Sequence, residues 1–106
     1  MELRTWGGRS HFEYVGSIES GTKITYGTKN KYNTKVTSQQ YEDLRKHFLN
    51  RIVSVGTSRT SPEDDSIGNW LKENVDKRAI ASYVAAILLE QDYAERIEKN
   101  HIRIVK

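Results

Sequence analysis

The sequence contains no cysteine, one proline, one methionine and no long apolar run. Without cysteine there is no disulfide scaffold, no iron–sulfur cluster and no thiolate zinc site, and the chain suits a reducing compartment. No stretch approaches the roughly 18 apolar residues of a membrane span. The opening residues, Met1 to Gly8, lack the apolar segment of a signal peptide. A soluble cytoplasmic protein with no membrane contact is the expectation. Internal repeats and low-complexity segments are missing, as is a phosphate loop of the Gly-x-x-x-x-Gly-Lys-Ser/Thr type. At 106 residues there is room for one domain and one core.

The clearest pattern present is Asp76 to Gln91. Ile80, Tyr83, Val84, Ile87, Leu88 and Gln91 recur at helical spacing, and Ala79, Ala81, Ser82, Ala85 and Ala86 fill the positions between. This reads as a central core helix, apolar on nearly every side. Asp76 stands as its N-cap, and Val75 is placed to staple against Ile80.

Ahead of it, His11 to Ile18 and Thr22 to Tyr26 mix aromatic and β-branched residues around the Glu19-Ser20-Gly21 break, which predicts a hairpin. Gly27 to Thr37 is basic and rich in turn formers. It is either a long loop or a third, edge strand from about Lys31 to Val36, which lysines would suit. Thr37 and Gln40 fit a capping box, so a helix follows to about Leu49, burying Tyr41, Leu44 and Phe48 and stopping at Asn50. Arg51 to Val55 reads as a strand, and Gly56 to Asp65 as a loop holding Pro62 and three acids. Ser66 then caps a helix with an apolar side of Ile67, Trp70, Leu71 and Val75, Trp70 being its core anchor. After the central helix, Tyr93 to Ile97 and His101 to Val105 alternate as a closing hairpin around Glu98 to Asn100.

From Thr37 onward the order is helix, strand, helix, short turn, helix, hairpin. That order resembles a winged helix-turn-helix domain over about 70 of the 106 residues, with an amino-terminal β region added. The resemblance implies that the helix from Ser66 is the first of the pair. The helix from Lys77 then takes the recognition position in a DNA major groove, and Glu98 to Asn100 tip the wing. The sequence departs from the family in the middle of that helix, which offers only Ser82, alanines and bulky apolar residues where base edges would be read. Such a surface favours packing.

The charge is uneven. Lys23 to Arg59 holds eight Lys or Arg against Glu42 and Asp43, a net of +6, whereas Pro62 to Lys106 has a net of −2. A basic half points to an anionic partner as readily as to a solvated surface. The candidate nucleic-acid contacts are Lys29, Lys31 and Lys35, with Tyr26 and Tyr32 placed to stack on bases. Arg59 in its hydroxyl-rich loop is a candidate for phosphate, and Lys77 and Arg78 for an anion at the start of the central helix. For catalysis the inventory is His11, Glu13, Asp43, His47, His101 and the acidic loop, and nothing in the spacing assembles them. No catalytic residue, metal or cofactor is expected.

The sequence thus predicts an α+β chain forming one domain, with a β-rich region over residues 1–36 and a winged-helix-like helical region over 37–106. The expected function is that of a small non-enzymatic nucleic-acid-associated module with mainly electrostatic contacts. The alternative is a module that binds a protein partner, or a second copy of itself, through the apolar helix 77–91.

Overall fold

The computed structural model describes every residue from Met1 to Lys106. It is mixed α+β, with an amino-terminal four-stranded antiparallel sheet, three helices and a carboxy-terminal hairpin belonging to a three-stranded sheet. The first sheet runs β1 (Glu2–Arg4), β2 (His11–Ser17), β3 (Gly21–Tyr26) and β4 (Tyr32–Val36), in that order across the sheet. Alternation decides its faces. Phe12, Tyr14, Thr22, Ile24, Tyr26, Thr34 and Val36 point inward and are buried, while Glu13, Val15, Lys23 and Lys35 lie outside.

The helical region follows as α1 (Ser38–Phe48), β5 (Ile52–Ser54), α2 (Ile67–Asn74), α3 (Ala81–Glu90), β6 (Ala94–Glu98) and β7 (His101–Ile104). Strand β7 pairs with both β5 and β6, so the closing hairpin is tied to the strand after α1. The order of helix, strand, helix, helix and hairpin is the one read from the sequence. The capping box is formed in full, since the Thr37 hydroxyl accepts from the Gln40 amide at 3.1 Å and the Thr37 amide donates to Gln40 Oε1 at 2.9 Å. Asn50, at φ 63°, ends that helical stretch in the left-handed region. The Ser66 hydroxyl caps α2 by accepting from the Asn69 amide at 3.1 Å.

The structure departs from the sequence reading at one point and adds to it at two. The central helix begins at Ala81 rather than Lys77, and its N-cap is Ile80, which makes no side-chain cap bond. Asp76 is occupied elsewhere. Its carboxylate accepts from the Arg78 amide at 2.9 Å, from the Arg78 guanidinium and from Thr34 Oγ1 at 2.6 Å, and this folds residues 76–78 into a turn. Two cations in the first turn would also oppose the helix dipole. The first addition concerns the tryptophans. Trp70 is half-buried against the core, whereas Trp6 is only 4% exposed. The second addition is β1, three residues pairing with the start of β2 from Arg4↔His11 to Glu2↔Glu13, which the sequence pattern did not announce.

Trp6 straps the amino terminus across the helical region. Its amide donates to the Ser82 carbonyl in α3 at 3.0 Å, and its indole Nε1 donates to the Lys99 carbonyl at the hairpin tip at 2.7 Å. The Arg96 guanidinium lies 3.7 Å from the ring and donates to the Trp6 carbonyl at 2.6 Å. On α3 the Tyr83 ring packs against Phe12 and Tyr26, with centroids 5.1 and 4.6 Å away. At its far end Gln91 accepts from the Ile18 amide at 3.0 Å and donates to the Tyr14 hydroxyl at 3.1 Å. The apolar helix is therefore covered by its own chain, with α2 and β6 packed on it from the helical region and the four-stranded sheet on the other side. Ile87→Ala is expected to lower stability by about 2–5 kcal/mol, and a urea-melt loss below about 1 kcal/mol would show that α3 is peripheral.

One close approach fixes the loop between β5 and α2. Gly68 donates to the Val55 carbonyl at 2.8 Å. A Cβ at Gly68 would lie 1.8 Å from the Gly56 carbonyl oxygen, and Gly56 itself sits at φ 68°. Gly68→Ala is accordingly expected to cost about 1–3 kcal/mol in the same melts by overpacking. Gly7→Ala, with nothing within 4 Å of the added carbon, should leave stability unchanged within about 0.5 kcal/mol.

Candidate aromatic and basic ligand site

The turn between β3 and β4, the loop after β5 and the 77–79 segment meet around a cleft of about 380 Å³. Tyr26, Gly27, Tyr32, Arg59, Lys77, Arg78, Ala79 and Tyr83 line it. Each arrives from a different piece of local structure. Tyr26 ends the inward-facing row of β3, and Tyr32 opposes it across the β3–β4 ladder, so their rings stack at 5.9 Å and 27°. Tyr83 comes from the first turn of α3 and stacks on Tyr26 at 4.6 Å and 28°. Three tyrosines thus form one continuous wall. Gly27, at φ 87°, gives the chain the left-handed step by which it leaves β3, and a Cβ there would lie 2.8 Å from the Tyr32 ring.

The cations differ in how free they are. Arg78 is committed, since its Nη2 donates to Asp76 at 2.8 Å and to the Asn33 carbonyl at 3.0 Å. The pair sets its own electrostatics. The Arg78 guanidinium holds the Asp76 carboxyl far below the usual carboxylate range, with the Thr34 hydroxyl helping and partial burial opposing. Arg59 and Lys77 have no acidic partner at all. Burial pushes the Tyr26 and Tyr83 hydroxyls upward, although the charge of Arg78 on the first and of Arg59 on the second pulls the other way. Both therefore stay protonated donors near neutral pH. The Tyr26 hydroxyl is buried and has no hydrogen-bond partner, alone among the buried side-chain polar atoms.

Of the residues singled out from the sequence, Arg59, Lys77 and Arg78 converge on this cleft. Lys31 flanks it, its ammonium 5.9 Å from the Tyr32 ring centroid. Lys29 sits in the left-handed turn of the β3–β4 connection at φ 60°. Lys35 is separated from the cleft, because it points outward from β4 directly across from Lys23. Tyr83 is the cleft residue that the sequence assigned to the core alone, its helical spacing being that of a core position. The histidines are scattered, with His11 on the outer face of β2, His47 on α1 and His101 on β7. His101 Nδ1 lies 3.7 Å from Glu98.

A second cleft of about 420 Å³ lies between α1 and the last residue. It mixes Glu19 and Glu42 with Arg45, Lys46 and Lys106 and has no aromatic wall. The tyrosine cleft is the one that combines a stacking surface, free cations and an unsatisfied buried hydroxyl. Comparison of the chain with protein-family models, with curated proteins and with solved structures finds no match.

The Asp76 network carries a pH signature. Its carboxyl is held below the ordinary value of 3.8 in the folded chain, so on acidification the unfolded state takes up the proton first. The stabilisation is complete above about pH 5 and is lost progressively as the pH falls from there toward the depressed native value. Asp76→Asn should therefore unfold at lower urea than the unaltered protein at pH 7. The gap between the two midpoints should narrow steadily as the pH is lowered from about 5 to about 2, and a gap that stays constant over that range would remove the carboxylate from the account.

Proposed function

We infer that this protein is a small non-enzymatic module that associates with nucleic acid and that it takes a single strand on the tyrosine cleft. The observation carrying this reading is the stack of Tyr32, Tyr26 and Tyr83 beside Arg59 and Lys77, neither of which has an acidic partner. Aromatic faces receive unpaired bases whatever their identity, and unpaired cations receive the phosphates between them. A duplex suits the molecule less well. In the helix at the recognition position the Ser82 carbonyl accepts from the Trp6 amide and the Tyr83 ring packs on Phe12 of the same chain, and the hairpin tip is bonded to Trp6. The alternative, a protein or self-association module using residues 77–91, gains nothing from a helix whose apolar sides are already covered.

Contacts of this kind make binding salt-dependent and weakly sequence-selective. Fluorescence anisotropy at low salt should find a labelled single strand bound more tightly than a duplex of equal length. Arg59→Gln with Lys77→Gln should lower the slope of log affinity against log salt by about 1–2, the release expected from two phosphate contacts on a single strand. Lys35→Gln alone should leave it unchanged. Equal or tighter duplex binding, or a slope unmoved by the double substitution, would refute this assignment.

A further inference from the structure

Resting on that reading, we propose that the tyrosine cleft is an end-binding pocket: it takes the terminal nucleoside 5′-phosphate of a single strand, one base and one phosphate monoester. Three features separate this from the capture of an internal run of bases. The first is size. The cleft holds about 380 Å³, enough for a single nucleotide, whereas grooves that follow a strand engage roughly 4–16 nucleotides. The second is charge. The Arg78 charge is offset by Asp76, so the uncompensated cations are Arg59 and Lys77. Two positive charges on one small cleft match a phosphate monoester, which carries about −1.5 to −2 near neutral pH, better than a diester, which carries a single charge.

The third feature is the Tyr26 hydroxyl. Tyr26 is only 9% exposed, and its oxygen is buried with no partner in the protein. Tyr26 stands in the cleft wall between Tyr32 and Tyr83, so a ligand acceptor that reached its hydroxyl would supply the partner that the protein itself does not. Tyr32, with 46% of its surface exposed, offers the outer face on which the terminal base stacks. Lys31, its ammonium 5.9 Å from the centroid of the same ring, flanks that face.

The test uses the intact protein and a short oligothymidylate labelled at its 3′ end, with either a 5′-phosphate or a 5′-hydroxyl, read by fluorescence anisotropy. The phosphorylated strand is expected to bind about tenfold more tightly or better. That preference should vanish in the Arg59→Gln/Lys77→Gln protein, whose altered side chains are exposed and whose melting should be unchanged. Tyr32→Ala, also at an exposed position, should weaken both strands by a similar factor. Equal affinity for the two strands would overturn the end-binding pocket while leaving the single-strand reading standing, whereas binding of neither would remove both. Unlabelled thymidine 5′-monophosphate should displace the phosphorylated strand only at higher concentration than an unlabelled phosphorylated strand does. Equal potency would reassign the pocket to free nucleotides, and tighter binding of a phosphotyrosine peptide would reassign it to a protein ligand.

Discussion

The arrangement depends on burying a helix that is apolar around most of its circumference. Val84, Ala85, Ile87 and Leu88 are inaccessible, and Tyr83, Ala86 and Leu89 pack against the same core. The helical region covers one side of α3 only, and an exposed second side of Tyr, Ala and Leu would invite association. The four-stranded sheet supplies the missing cover. Phe12, Tyr14, Ile24 and Tyr26 face inward from it, and α1 joins the same interface through a buried hydrogen bond of 2.7 Å between the Tyr41 and Thr22 hydroxyls. Nearly everything else about the surface follows from that cover.

One consequence is the position of the candidate site. With the middle of α3 enclosed, ligand chemistry is pushed to the rim where the sheet meets the residues before the helix. Asp76 is the joint at that rim. It binds Thr34 of β4, 42 residues away, and through Arg78 it also reaches the Asn33 carbonyl. The same bonds that keep residues 76–78 out of the helix fasten them to the sheet edge, which sets Lys77 and Ala79 on the cleft. Helix initiation and site geometry are thus two results of one carboxylate.

Local signals were legible in the sequence wherever the interaction they describe spans a few residues. Thr37 with Gln40 and Ser66 mark helix starts through bonds made within one turn, Asn50 marks a helix end by its left-handed backbone, and the alternation in β2 and β3 reflects one buried face. The start of α3 was misread because Asp76 has two outlets, a local cap and a distant hydroxyl, and only folding brings Thr34 within reach. Trp6 gave no periodic signal between glycine and polar neighbours, so its partners Ser82 and Lys99 had to come from the fold. The cleft was visible as parts. Tyr26, Tyr32, Arg59, Lys77 and Arg78 were each recognisable by residue type, but their meeting is tertiary, and Tyr83 carried the spacing of a core residue. Lys35 was grouped with Lys29 and Lys31 by proximity in sequence, although the inward neighbours Thr34 and Val36 require it to face outward.

The division of labour in the cleft follows from how its members are held. On the proposed reading a base meets the exposed face of Tyr32, which is backed by Tyr26 and Tyr83 held in the core, so that surface is ordered before binding and little conformational entropy is lost on the protein side. Arg59 and Lys77 are long, exposed and unpaired, and ordering them against a phosphate costs rotamer freedom that only the charge can offset. Stacking on the wall is insensitive to salt and tolerant of base identity, whereas the cations respond to salt and carry no sequence information. Discrimination in such a site therefore rests on the charge state of the phosphate and on whether a base is free to leave its stack. Neither property depends on a sequence-reading helix, which is consistent with a helix in that position made of alanine, isoleucine and leucine.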